Sequence, residues 1–348
     1  MKNRIDLSNF NIRTDLVIDN DITKDFTKKR CINDNLNITS IDINDEISNK
    51  LNRKKGTYVT IEFVDITNYE DKIEIENQLI LELKKILSKN NINATDSGLI
   101  IGLGNRFSTA DSLGPKTVDK ILITRHLFEL DTNVKNGIRC VSGISPGVMA
   151  NTGIETFDII IGIIKKIKPK FLIVIDALAS SSIDRINKTI QLTDTGIHPG
   201  SGIGNNRKEI SFNTVSIPVI AIGVPTVVES SIIVSDTIYY LFQHLSYIKN
   251  NFDTNKLIFN HNNDYIDKIK KQNMNIEEKE KLSGIIGTLS EEEKLNLTRE
   301  VLNSINYNLI VTPKEIDFLI ENLSDVIANG INKSLHYSLN DEKRWLEW

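Results

Sequence analysis

Cysteine is scarce: only Cys31 and Cys140 occur in 348 residues, which excludes a disulfide framework and a thiolate zinc cluster. Five histidines (126, 198, 244, 261, 336) include no H-E-x-x-H motif and no i,i+4 pair, which argues against a zinc hydrolase. No apolar run reaches the length of a membrane span. The N-terminal MKNRIDLSNFNIRTD also lacks the apolar core of a signal peptide, so a cytoplasmic protein with no membrane partner is expected. Positive charge is not in excess either. With 42 Lys and Arg against 46 Asp and Glu, the net charge of -4 gives no footprint for direct nucleic-acid contact. What is present, 40% apolar and 25% charged residues, describes an ordinary globular chain long enough for one large domain or two.

Strand and helix signals alternate along the chain. Residues 1–55 are polar and acidic with scattered isoleucines and no sustained period. A strand is predicted over Tyr58–Val64. A helix is predicted over Asp71–Asn90, with Ile75, Leu79, Leu83, Ile86 and Leu87 near one face. SGLIIGLGN (97–105) reads as a strand entering a glycine turn, followed by the loop RFSTADSLGP and a helix across about Lys116–Leu130. A second strand, IRCVSGI (138–144), leads to a helix that a Thr152–Glu155 capping box opens and Pro169 stops. A further strand at 216–228 precedes a helix over about 234–248. The spacing predicts an α/β fold, a mostly parallel twisted sheet flanked by helices, with C-terminal helices. After Lys249 the composition turns polar, so 250–283 reads as a linker or insertion. Two helices close the chain, one over about Ser290–Asn303 and one capped by Thr312, Pro313 and Glu315.

The stretch Lys170–Glu209 carries the first chemical signal. FLIVI (171–175) reads as a strand buried on both faces, and the apolar run ends at Asp176. A carboxylate placed there costs free energy unless something pairs with it or needs it. The carboxyl ends of parallel strands are also where ligands gather. Asp111, in the loop after the first core strand, falls at the same edge. Two carboxyls at close range share a proton, so one can activate water while the other polarises a carbonyl or protonates a leaving amine. The plainer alternative is that Asp111 caps the next helix and Asp176 pairs with a lysine or arginine. Downstream, glycines at 196, 200, 202 and 204 surround His198 and Pro199. Such a loop can approach a substrate closely, and His198 either touches substrate or makes a structural hydrogen bond.

Two glycine motifs are decoys. Gly102-Leu103-Gly104 follows a strand, but the third glycine of a dinucleotide fingerprint is replaced by Phe107. Gly143-Ile144-Ser145-Pro146-Gly147 matches a nucleophile elbow in letters only. The residue after the serine must donate its N–H to an oxyanion, and Pro146 has none. Cys140 reads as core, and Cys31 has no neighbour that marks it as reactive.

Several blocks together resemble the germination protease (spore protease) family of endospore-forming bacteria: LIIGLGN (99–105), ADSLGP (110–115), TRHLF (124–128), SPGVMANTGIET (145–156), IDALA (175–179), TIQLTDTGIHPGSGIGNNRKE (189–209), PVIAIGVPTVV (218–228) and VTPKE (311–315). With RTDL (13–16) the resemblance spans nearly the whole chain. It implies an aspartic-type endopeptidase that degrades small acid-soluble spore proteins at germination in the spore core. The fold implied is phosphorylase/hydrolase-like and similar to hydrogenase maturation proteases. The implied catalytic pair is Asp111 and Asp176, the same two carboxylates. Also implied are a homotetramer, no metal or cofactor, and a zymogen that cleaves its own Asp15–Leu16 bond. The expected organisation is a propeptide (1–15), a catalytic core (16–249), the polar segment (250–283) and a helical segment packing on the core (284–348). His198, Gly200, Ser201 and Arg207 are candidates for the wall of the substrate cleft. Ala110, Cys140, Ala150 and Ser180-Ser181 depart from the family pattern, which has Ala-Arg after IDALA. Three rival readings are a metal-sensing maturation-type protease, a nucleoside- or phosphate-binding enzyme, and a non-catalytic homologue that only binds spore proteins.

Overall fold

The structure is a computed structural model that describes residue 16 and residues 26–51, 53–130, 134, 136–199, 208–251 and 268–340. Contacts group the chain into two compact units. Among the described residues, the larger holds those within 16–180, 184–227 and 312–340, the smaller those within 181–183 and 228–311.

Eight strands run in the order β1-β2-β3-β7-β8-β6-β4-β5. They are β1 (Thr27–Asn33), β2 (Leu36–Ile43), β3 (Gly56–Phe63), β4 (Gly98–Gly102), β5 (Val141–Ile144), β6 (Phe171–Ser180), β7 (Thr189–Thr193) and β8 (Val219–Glu229). Pairing is antiparallel for β1–β2, β2–β3, β3–β7 and β7–β8, and parallel where β4 meets β6 and β5. The last two residues of β8, in the smaller unit, pair with β9 (Ile310–Val311). The helices of the larger unit begin with α1 (Asp45–Leu51), α2 (Tyr69–Lys89), α3 (Leu113–Asp119), α4 (Arg125–Leu130), α5 (Met149–Thr152), α6 (Thr156–Ile167) and α7 (Phe212–Val215). The smaller unit holds α8 (Ser230–Asn251), α9 (Ile276–Ser283), α10 (Ile285–Thr288) and α11 (Glu291–Ser304). α12 (Ile316–Leu335) returns to the larger unit. The α/β fold is as expected, on a mixed sheet.

Alternation along β6 explains its apolar run. Ile173 and Ile175 enter the core made with α2 and α12, while Leu172 and Val174 enter a second core closed by α6. On that second face a third cluster, Ile41, Ile43, Ile47 and Tyr58, packs α1 against β2 and β3.

Four local expectations are corrected. The helix expected across Lys116–Leu130 is broken into α3 and α4, because tertiary partners take its backbone groups. Leu122 N–H donates to Asn332 Oδ1 (2.9 Å) and Thr124 N–H to Val141 O (3.0 Å). The Thr152–Glu155 capping box does not form. Glu155 is itself the N-cap of α6, and the Thr152 hydroxyl turns back to Ile154 O at 3.0 Å. Thr312 likewise does not cap α12, since its hydroxyl donates to Thr226 O (2.8 Å) and the helix starts at Ile316. Finally, residues before 56 contain β1, β2 and α1; β1 is an edge strand, largely exposed, so it carries no apolar period.

Candidate active site

The strand bearing Asp176 continues to Ser180, which corrects the expected stop at that residue. Its parallel neighbour does stop. β4 ends with Gly102 opposite Ile175, and Leu103 N–H then donates to Ile175 O at 2.8 Å. Asp176 is therefore the first residue of β6 beyond the parallel pair, at the edge where β4 leaves the sheet. It is buried, and its Oδ1 accepts the Ala177 N–H at 2.9 Å.

Asp111 closes a 3₁₀ turn, Thr109–Asp111, in the loop that leaves β4. This turn lies alongside β6 and against α12. Asp111 Oδ2 accepts the backbone N–H of Asn105 at 2.8 Å, which ties the carboxylate to the end of β4. Asn105 is held in turn: its Oδ1 accepts from Phe107 N–H (3.1 Å) and from Asn151 Nδ2 (3.0 Å). The glycines make this approach possible. Gly104 has φ +107°, and a Cβ there would lie 2.0 Å from Asp111 O. Gly102 and Gly114 face each other so closely that a Cβ on Gly114 would lie 2.3 Å from Leu103 O and 2.7 Å from Ile175 O. The G-x-G of the sequence thus lets α3 and the Asp111 turn sit on the strand ends. Asp111 and Asp176 are both brought to the turn Leu103–Asn105.

On the same face of β6, Leu178 lines a cavity of about 530 Å³ with Arg53, Lys54, Tyr58, Gln191 and Thr193. On this face α6 and α1 pack through separate clusters. His198 is on the cavity wall, placed by the antiparallel bridge Ile197–Ile210. Its Nε2 lies 3.2 Å from Glu209 Oε2, and Lys54 pairs with the other oxygen of Glu209. Burial works against charge on Glu209, but the bonds from Lys54 and Ser211 and the charges of Lys54 and His198 outweigh it and lower its pKa. The Tyr58 hydroxyl donates to Lys54 O and accepts from Thr195 Oγ1, both at 3.1 Å, and burial raises its pKa.

The chain matches the germination protease family over residues 12–345. It is 43% identical to the germination protease of Priestia megaterium, with 98% of each chain covered. It is also 44% identical to that of Oceanobacillus iheyensis (94% of this chain, 95% of the relative) and 40% identical to that of Bacillus subtilis (99% and 98%). The chain belongs to the germination protease family. It is thus a member of a peptidase family. Among solved structures, a NiFe hydrogenase maturation protease from Thermococcus kodakarensis aligns over 41% of this chain and 80% of its own, at 16% identity and a TM-score of 0.26.

For this germination protease family member, the expected site residues separate into two places. Asp111 and Asp176 lie at the end of β4, and His198 lies at the cavity beyond Leu178. Gly200, Ser201, Arg207 and Asp15 fall outside the described residues, while Leu16 is described and fully buried. Among the described residues there is no group of three or more His, Cys, Asp and Glu side chains able to hold a metal. No described helix is long and apolar enough to cross a membrane. Sequence reasoning missed Asn105, Asn151, Arg53 and the Lys54–Glu209 pair. Asn105 was within reach of inspection, being the first polar residue after LIIGLG. The others act through contacts distant in sequence that carry no local pattern.

Proposed function

We propose that this chain is an aspartic-type endopeptidase that degrades small acid-soluble spore proteins at germination, in the spore core. Asp111 and Asp176 share one proton and position an attacking water. The ionised carboxylate takes a proton from the water, and the protonated one polarises the peptide carbonyl. A proton then passes to the leaving amine as the C–N bond breaks. The observation that carries the reading is the shared placement of both aspartates at the end of β4, one in the turn after that strand and one in its parallel neighbour. The backbone N–H of Asn105 supports it by fixing Asp111. The open sheet face beyond Leu178 is the candidate cleft, with His198, Gly200, Ser201 and Arg207 along its wall. The chain is made as a zymogen, removes residues 1–15 by cutting Asp15–Leu16, and works as a homotetramer.

Mass spectrometry of the purified chain at mildly acidic pH, beside Asp111→Asn and Asp176→Asn, tests this. Loss of residues 1–15 in the unsubstituted chain alone is the expected result. Cleavage in all three would remove the aspartates from the mechanism.

A further inference from the structure

Phe107, the residue that spoils the dinucleotide fingerprint, takes no part in the mechanism proposed for the aspartates, and it is 86% exposed. No other large apolar side chain among the described residues is as exposed. An aromatic ring left in water forgoes the burial that drives folding and association. A slack loop would explain such exposure, but this loop is pinned. Ser108 N–H donates to Asn105 O at 3.0 Å, closing a turn with Arg106 and Phe107 at its tip. Phe107 N–H donates to Asn105 Oδ1 at 3.1 Å, and Asp111 N–H to Ser108 O at 2.9 Å. Arg106 grips Asp119 of α3 with both terminal nitrogens, at 2.5 and 2.9 Å. The ring is therefore held out into water by a turn that is fixed on both sides.

The same turn holds a reacting group. Asn105, whose N–H donates to Asp111 Oδ2 at 2.8 Å, stands two residues before Phe107. Two residues span at most about 7 Å, so the ring lies within about four residues' length of Asp111 along an extended substrate. What the tip offers is apolar. The charge of the neighbouring Arg106 is met by Asp119, and Asn105 Oδ1 also accepts from Asn151 Nδ2 at 3.0 Å. Asn151 belongs to α5, so the same asparagine ties that helix to the turn, and α5 leaves Met149 more than half exposed.

We infer that Phe107 is a specificity-determining residue whose ring receives an apolar side chain of the substrate protein, within about four residues of the bond that is cut. This rests on the reading of Asp111 as one of the two catalytic carboxylates. Substrate is what comes to the turn that holds Asp111, and covering the ring restores the burial that the fold leaves unused. Phe107 meets the substrate away from the reacting atoms, so it adds binding common to the ground and transition states. It selects which bond is presented, and the aspartates set how fast that bond breaks.

The test is cleavage of synthetic peptides by the full-length chain held at mildly acidic pH. The parent peptide is NIRTDLVIDN, the sequence of residues 11–20, with Ile12, Leu16, Val17 and Ile18 as its apolar residues. In each of four further peptides, serine replaces one of these. Phe107→Ala should raise KM for the parent about tenfold and leave kcat nearly unchanged. Phe107→Leu, which keeps an apolar surface, should restore most of that loss. One of the serine peptides should be cut equally well by the Phe107→Ala chain and the unsubstituted one, because its contact with the ring is already gone. A KM indifferent to Phe107→Ala, or a loss of equal size with every peptide, overturns the inference and leaves the aspartate mechanism standing. A Phe107→Ala chain that sediments at a lower mass gives the ring to a second copy of the chain and also overturns it. If no chain cuts the parent, or Asp111→Asn cuts it at the unsubstituted rate, the catalytic reading falls and the inference falls with it.

Discussion

Asn replacement at Asp111 or Asp176 keeps the shape of each side chain and removes its acid–base function. Both carboxylates accept backbone N–H groups, from Asn105 and Ala177, which an amide oxygen also accepts, so the fold should persist. Cleavage of a peptide substrate should fall by about 10³-fold or more for either variant, with melting temperature little changed. A rate assay paired with circular dichroism checks both halves of that expectation. His336 tests a different link. It is fully buried, and its Nδ1 accepts the Arg139 N–H at 3.1 Å. Burial outweighs a bond with the Leu122 backbone and, with the smaller effect of the Arg139 charge, lowers its pKa from 6.5 to about 4. The imidazole thus stays neutral in the fold where the unfolded chain would protonate it. Its contribution is fully present above pH 6.5 and is lost as the pH falls towards 4, by about 3 kcal/mol in all. Urea unfolding at a series of pH values should show this loss, and His336→Asn should flatten the curve across that window. That Asp111 and Asp176 fall near one sheet edge could be read from the sequence, since one ends a buried apolar run and the other lies in the loop after a core strand. The setting of His336 could not, because it depends on Arg139 and other residues that the fold alone brings near.

Between elements, the approach of α3 to the strand ends is set by two glycines and an ionic clamp. Gly114→Ala would drive a methyl into Leu103 O and Ile175 O, at a cost of about 1–3 kcal/mol, and would push the Asp111 turn off the strand ends. Activity should fall further than stability does, since a shift of about 1 Å at a reacting group costs about 10²-fold. Thermal melting and a cleavage assay on one preparation separate the two effects; equal, small losses would mean that the close approach is not what fixes Asp111. On the other side of α3, Lys120 is bonded to Asp325 (2.6 Å), Ser324 (2.8 Å) and Glu321 of α12. Burial works against charge on Lys120, and these partners outweigh it and raise its pKa. Lys120→Ala should destabilise the chain by about 1–2 kcal/mol, measured by urea unfolding, because the acceptors on α12 lose their donor. The element that the sequence predicts best is α2, which has one strong period. The segment Lys116–Leu130, expected as one helix, breaks where Asn332 and Val141 bind its backbone from outside. A local pattern cannot register a partner 210 positions away.

At the scale of the whole molecule, alternating strand and helix signals were enough for the α/β class. They did not reveal that β1, β2 and β3 extend the sheet antiparallel: β3 was expected as a strand, but β1 is an exposed edge strand with no apolar alternation, and no local pattern says which strands pair or in which direction. The surface of the smaller unit bears on assembly. Val301 and Ile305 lie one turn apart near the end of α11 and are more than half exposed, as are Tyr307, Leu309 and Ile310 just after it. On α9 and α10, Ile276, Leu282 and Ile285 are exposed to a similar degree. Apolar side chains this numerous in one segment of a chain are what a subunit interface uses, and they support the proposed homotetramer. Sedimentation equilibrium should give about four times the 39.3 kDa chain mass. Val301→Asp with Leu309→Asp should shift the chain to smaller species while leaving its melting transition in place, because neither side chain belongs to a buried core. A mass of one chain at every concentration would remove the tetramer. A tetramer indifferent to both substitutions would move its interface away from this surface and leave the exposed residues of α11 without an assembly role.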